Sequence, residues 1–296
     1  MTRLGLVGGA AVWHARSFAG ILNPKDEAAW AAAGFPGYAS RPVEGAAVVA
    51  VCDEDLAAAR QLAGMVEGIS LVTSRPGDLL GHVDGVLICD DLSEQHQKRA
   101  PAFLEAGIPT FIDKPLSRDP QEAEELLSLA ERCATPVMSC SALRYSTELA
   151  ALDKAALGDV VCTMAVGPNE LVFYGIHPCE LVQAAMGPGV RSVRNVGDAE
   201  RNHVLLDYGD GRMGVLVVRH DIAYTFRATL LGSQGSAHLA IEDSAGFYRE
   251  MLVRFIEMVR TKVMPIPLSD TLEIIRALDA ARRSRETGTE IRLRDG

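Results

Sequence analysis

"IPTFIDKPLSRDP" (Ile108 to Pro120) begins as an apolar run and then closes on an aspartate, a lysine and a proline. A short stretch rich in β-branched and aromatic residues reads as a buried strand. Charged residues seldom end such a strand unless something there needs them. The stretch behind it, "RDPQEAEELLSLAERC", reads as a helix. Asp119 suits its cap, Pro120 its first position, and Glu122 comes close to completing a capping box. Ala123, Leu126, Leu127 and Ala130 fall at i, i+3, i+4 and i+7, a single buried stripe. The same alternation repeats around it. "RLGLV" (Arg3 to Val7), "AAVVAVC" (Ala46 to Cys52), "DGVLIC" (Asp84 to Cys89) and "TPVMSC" (Thr135 to Cys140) read as further strands, and "SEQHQKRAPAFLEAG" as a helix ended by Gly107. Strands alternating with helices predict an α/β fold with a parallel, doubly wound sheet.

The second half changes character. "DVVCTMAV", "HVLLDYG", "RMGVLVVRHD", "FRATLLGS" and "SAHLAIE" read as strands separated by glycine turns, followed by a helix pair from about Tyr248. This predicts a second α/β domain with a largely antiparallel open sheet. The expected division is a nucleotide-binding Rossmann domain over 1–141 and a substrate-binding and oligomerisation domain over 142–296. An insertion at about 23–45, marked by prolines and glycines, is an ordered excursion or a lid.

Composition narrows the function. Hydrophobic residues make up 48% and charged residues 23% of the 296, a soluble globular profile. The formal net charge of −10 argues against nucleic acid as a partner, since phosphate binding needs a basic face. The N-terminus lacks the pattern of a signal peptide, and no run reaches the roughly 18 apolar residues of a membrane span. A cytoplasmic location and no membrane contact are therefore expected. The six cysteines form no C-x-x-C pair and no zinc-ligand spacing, so they read as buried reduced thiols, with no metal.

The first strand runs into "GLVGGAAVWHA". A dinucleotide fold needs a tight glycine turn here so that the next helix points its N-terminus at the pyrophosphate. Gly8 and Gly9 supply the turn, with Ala10, Val12 and Trp13 completing the expected contact. Ala10 and Trp13 stand where G-x-G-x-x-G has its second and third glycines, and tryptophan cannot give close helix–strand packing. A purely structural turn is the other reading. Asp53, directly after the second strand, suits the ribose hydroxyls and would repel a 2′-phosphate, which favours NAD over NADP. It suits equally the N-cap of "DEDLAAARQLA", and the two roles can coexist.

Taken in order, "VVAVCDEDLAAARQLA", "DGVLICDDLSEQHQKRAPAFLEAGIPTFIDKPLSRDPQEAEELLSLAE", "SALRY", "YGIHPCELVQAAMG" and "LDAARRSRETGTEI" resemble the Gfo/Idh/MocA oxidoreductases. Asp113-Lys114-Pro115 matches that family's Glu-Lys-Pro tripeptide, and His177 matches the histidine of its D-x-G-x-H-P motif. The resemblance implies NAD-dependent hydride transfer to or from a secondary alcohol of a sugar, cyclitol or related polyol. It implies catalytic roles for Lys114, beside the nicotinamide, and for His177 as proton acceptor. A surface turn lysine and a satisfied core histidine are the plainer readings of those two residues. Pro115 fixes the backbone, plausibly through a cis peptide.

Cys89, Asp90 and Asp113 join the expected cofactor contacts, and Arg144, Tyr174 and His220 the expected substrate contacts. Arg144 suits an interdomain salt bridge equally well, and His220 could simply face solvent. Asp90 and Asp91 replace the family's Pro-Asn, either to read a polar substrate or to cap the helix behind them. His96 matches a family histidine of structural or cofactor-edge role. Phe173 departs from the family, which has aspartate there; Glu170, Tyr174 and Glu180 lie nearby to substitute for it. An altered or inactive nucleotide-binding sensor of the same fold is thus the alternative, and a transient oxidation that drives elimination is a third reading. An exposed sheet face in the second domain needs covering, so a homodimer or homotetramer is expected.

Overall fold

The computed structural model describes residues 1–35 and 43–293, and the chain divides into two compact units. The first comprises Met1–Ser117, Glu124–Ser139 and Tyr248–Leu268; the second comprises Arg118–Ala123, Cys140–Phe247 and Ser269–Gly296. Among the described residues no helix is long and apolar enough to cross a membrane.

The first half of the chain carries β1 (Thr2–Val7), α1 (Trp13–Leu22), α2 (Glu27–Ala32), β2 (Ala46–Cys52), α3 (Leu56–Met65), β3 (Leu71–Thr73), β4 (Gly85–Ile88), α4 (Ser93–Glu105), β5 (Thr110–Ile112), α5 (Pro120–Arg132) and β6 (Val137–Met138). The six strands form one parallel sheet in the order β3-β2-β1-β4-β5-β6. β1, β4 and β5 carry long buried runs because helices cover both faces of such a sheet. The order reverses beside β1, so the ends of β1 and β4 flank the switch point at which open α/β sheets bind ligands. The predicted stripe of α5 is buried at Ala123, Leu126, Leu127 and Ala130, and Asp119 Oδ1 accepts the Gln121 N–H as a cap.

β3 was not visible as a strand, because three half-buried residues show no period. Within the expected insertion, Asp26 caps α2, and the buried Trp30 packs edge-on to Phe35 and closes on Gly20. The excursion is ordered over that helix; the remainder, 36–42, lies outside the described residues.

The second half continues with α6 (Thr147–Ala150), α7 (Lys154–Leu157), β7 (Val160–Pro168), α8 (Leu171–Tyr174), α9 (Ile176–Met186), β8 (Ser192–Asn195), β9 (Arg201–Asp207), β10 (Met213–Arg219), β11 (Arg227–Gly232), β12 (Ser236–Ala240), α10 (Ser244–Thr261), α11 (Leu268–Thr287) and β13 (Ile291–Arg292). Its seven-stranded sheet runs β12-β11-β7-β10-β9-β8-β13. The pairing is antiparallel except between β7 and β10, which run parallel. β8 and β13 went unseen in the sequence for the same reason as β3. Alternation along β9 and β10 buries Val204, Leu206, Leu216 and Val218. The register places Cys162, Met164, Val166, Met213, Val215, Val217 and Leu205 together on the other face. Met164 and Met213 there are 42% and 40% exposed.

Candidate active site

In the first unit the candidate residues stand at the carboxyl ends of four parallel strands. After β1, Gly8 and Gly9 both take left-handed backbone (φ 69° and 65°), a conformation that penalises any side chain. A Cβ on Gly9 would stand 2.3 Å from the Cys89 carbonyl oxygen, and one on Gly8 would stand 2.2 Å from Asp90 Oδ2. This glycine pair therefore makes the close approach. Trp13 sits on the outside of the first turn of α1, 55% exposed, while Ala15, Phe18 and Ala19 pack inward. Trp13 does not give close helix–strand packing, as expected of a tryptophan there; the buried residues of the helix supply it. Val12 is the N-cap of α1 and makes no side-chain hydrogen bond there.

Asp53, after β2, is buried. Its Oδ2 accepts the Ala10 N–H and its Oδ1 the Asp55 N–H, each at 2.8 Å. Asp55, not Asp53, caps α3. A carboxylate has about four acceptor sites, so two backbone N–H groups leave capacity for ribose hydroxyls.

Asp90, after β4, does not cap α4, and neither does Asp91: the N-cap is Leu92, with no side-chain bond. Asp90 Oδ2 instead lies 3.0 Å from Arg99 Nε, in a geometry that gives neither atom a hydrogen bond. Burial pushes the Asp90 carboxyl up to about 6, against the pull of Arg99. Cys89 is fully buried, and burial together with the Asp113 charge drives its thiol far above the usual range. It offers its backbone carbonyl to the glycine turn rather than its sulfur. His96 is fully buried between the Leu116 and Asp90 carbonyl oxygens, 3.1 Å from each, which is a structural role.

After β5 come Asp113 and Lys114, 2% and 5% exposed, with the Lys114–Pro115 peptide cis. Lys114 is therefore not a surface turn lysine. The Asp113 Oδ2 hydrogen-bonds His14 Nδ1, and His14 Nε2 lies 3.0 Å from the Tyr248 hydroxyl. Burial alone would raise the Asp113 carboxyl, but His14 and then Lys114 outweigh it and hold it below the usual range. Asp113 thus stands between a hydrogen-bonded histidine and the lysine beside it. Neither His14 nor Tyr248 was singled out from sequence. His14, Asp91 and Asp113 each offer a ligand atom within 4.8 Å of the others, the one such group among the described residues. Both ring nitrogens of His14 already have partners, which favours the hydrogen-bonded chain over a metal site.

In the second unit, His177 is the second residue of α9, with Pro178 in the helix's first turn as its fixed φ allows. Tyr174 and Phe226 stand edge-on to the imidazole at 5.5 and 5.0 Å between ring centroids. Its Nδ1 lies 2.7 Å from Ser141 Oγ. Phe173 packs on Tyr174 and lies under the Arg118 guanidinium. Arg144 Nε donates to Glu180 Oε2 at 2.6 Å, and Arg144 also donates to Gln183. Glu180 accepts the Ser141 N–H too. The partners share one unit, so the interdomain salt bridge is set aside. Burial works against the Arg144 charge, and the Glu180 carboxylate more than restores it, leaving the guanidinium raised. His220 is exposed; its N–H donates to the Glu200 carbonyl.

A family model described as "Oxidoreductase family, NAD-binding Rossmann fold" matches residues 15–139. Residues 15–139 belong to the Gfo/Idh/MocA oxidoreductases. No curated protein sequence matches the chain. Among solved structures, a myo-inositol dehydrogenase from Corynebacterium glutamicum is similar with TM-score 0.81 and 16% identity, over 100% of each chain. A scyllo-inositol dehydrogenase from Lactobacillus casei gives 0.78 and 16%, over 99% of each chain. An oxidoreductase from Agrobacterium radiobacter, solved with NAD+, L-tartaric acid and magnesium, gives 0.77 and 15%, over 99% of this chain and 98% of that one. At these identities the structures establish the shared fold across the whole length, including the part beyond the family match. Lys114 lies within the matched residues, and Phe173 and His177 lie beyond them.

Proposed function

We propose that this protein is an NAD-dependent dehydrogenase acting on a secondary alcohol of a sugar, cyclitol or related polyol, or on the matching ketone. The observation that carries the reading is Lys114, buried directly after a parallel strand with Asp113 as its neighbouring counter-charge. A lysine there serves to hold a substrate oxygen as charge develops on it.

The residues present fit a dinucleotide. The Gly8–Gly9 turn and the α1 N-terminus suit a pyrophosphate, and Asp53 keeps acceptor capacity for ribose hydroxyls. Asp90, Cys89 and Ala10 border that turn. Bound nicotinamide would supply the hydride chemistry. Lys114 then orients and polarises the substrate oxygen, Asp113 supplies its counter-charge and is held in place by His14, and His177 handles the hydroxyl hydrogen. In the second unit Arg144 is held by Glu180, and Tyr174 stands at the imidazole edge of His177.

Titration of the purified protein tests the reading. NADH should bind in the micromolar range and NADPH more weakly, because Asp53 repels a 2′-phosphate. A polyol panel with NAD should then yield reduced nicotinamide. If neither nucleotide binds, the proposal falls. The apolar outer face of the second sheet supports a homodimer or homotetramer, and sedimentation of the same sample should show a species larger than 31.7 kDa.

Asp90 adds a pH dependence. Above about 6 it is ionised beside the turn proposed for the pyrophosphate, and below that value it is neutral. NADH affinity should therefore rise by up to roughly fivefold as the pH falls through 6, the scale of one screened charge pair. In Asp90→Asn that rise should vanish; a rise that persists in the variant would assign it to another group.

A further inference from the structure

The hydroxyl beside His177 has a consequence for the direction of its hydrogen bonds. Ser141 Oγ accepts the Leu143 N–H at 3.2 Å, as the cap of the short helical turn Ala142–Tyr145. Ser141 is fully buried, so solvent does not take its proton. A serine hydroxyl has one proton and two lone pairs, and a buried proton without an acceptor costs stability. Among the described residues, His177 Nδ1, 2.7 Å away, is the acceptor within its reach.

We infer that Ser141 donates to His177 Nδ1 and thereby fixes the neutral imidazole in the tautomer that carries its proton on Nε2. The inference rests on the proposed role of His177 and refines it. A carboxylate partner would accept from Nδ1 and leave Nε2 as a lone pair, ready to take a proton. Serine reverses this, so that Nε2 presents an N–H. Neutral His177 then donates through Nε2 to a substrate oxygen that accepts, the carbonyl of a ketone or a developing alkoxide. The substrate form that suits this histidine is the oxidised one. Ser141 is a positioning residue, acting through the tautomer. Tyr174 and Phe226 hold the ring plane edge-on, which keeps the Nδ1 side on Ser141.

The test is a long-range proton–nitrogen correlation spectrum of the full-length, 15N-labelled protein at about pH 8, above the ordinary imidazole range. With seven histidines in the chain, loss of one pattern in His177→Gln assigns the signal. The expected result is a pyridine-like Nδ1 and a pyrrole-like Nε2. Ser141→Ala should mix the two tautomers and Ser141→Thr should restore the single one. A pyrrole-like Nδ1 in the unmodified protein overturns the inference without any variant, and so does a pattern unchanged in Ser141→Ala. The spectrum needs neither nucleotide nor turnover, so failure of the NAD reading in the binding titration leaves this result to be judged separately.

Discussion

Lys114→Ala is expected to cut kcat/KM by roughly 10³-fold while leaving NADH affinity within a few-fold. The magnitude follows from removing one preorganised donor at a developing oxyanion, which costs about 10²–10³ in rate, with a further loss where the group also assists proton transfer. Nucleotide affinity is spared because the glycine turn, the α1 N-terminus and Asp53 come from other strand ends. The fold tolerates the change for a specific reason. Asp113 keeps His14 as a hydrogen-bonded partner, so truncation of the lysine does not strand a buried carboxylate. Steady-state kinetics and NADH fluorescence on the same preparation check this, with circular dichroism to show that the variant is folded. Unchanged turnover would remove Lys114 from the chemistry. Nucleotide binding without turnover even in the unmodified protein would support the sensor reading instead.

Arg144→Ala is expected to destabilise the protein by about 3–5 kcal/mol, the cost of leaving one member of a buried ion pair behind. Glu180 is 2% exposed and would lose its charged partner, retaining the Ser141 N–H. For a protein of this size the loss corresponds to roughly 10 °C in melting temperature. The sign of its pH dependence follows from linkage. Burial already pushes the Glu180 carboxyl up, opposed by Arg144. Without the guanidinium, the folded state binds a proton at a pH where the unfolded chain does not. The variant's stability should therefore increase as the pH falls through the raised folded value toward the ordinary glutamate value of about 4.3. Denaturant melts at several pH values measure this. The double variant Arg144→Met with Glu180→Leu should recover most of the loss, since a well-packed apolar pair of similar volume is often as stable as a buried ion pair. If Arg144→Ala costs no more than a surface substitution, the pair carries no such weight.

The two halves of the candidate site were legible to different degrees. Lys114 could be read because its signal is local: a charged residue closing an apolar strand, with a helix start three to six residues later. Asp53 could be placed for the same reason, although its backbone partners could not. His177 could be found only through a likeness of motif, and its partner could not be found at all. Ser141 was passed over within "SALRY" because a serine before a short turn is unremarkable until an imidazole, 36 positions later, meets its hydroxyl. The helix-cap readings of Asp53 and Asp90 failed because one neighbouring residue, Asp55 in one case and Leu92 in the other, already occupied the cap.

By itself the sequence determined the fold class, the alternation of strand and helix in the first half, the glycine turn after β1 and the charged residues behind β2, β4 and β5. These are features with a period of about two or 3.6 residues, or with a fixed offset from such a run, and a period is a one-dimensional property. The tertiary structure alone decided the partnerships. Asp113 meets His14 across 99 residues and His14 meets Tyr248 across 234, through a helix late in the chain that packs with the first unit. It also decided the strands too short to show a period, β3, β8 and β13, and the parallel pairing of β7 with β10 inside an otherwise antiparallel sheet. The physical reason is the same throughout. Local pattern fixes which face of an element is buried, but the choice of neighbour depends on packing between distant segments, and no local pattern encodes it.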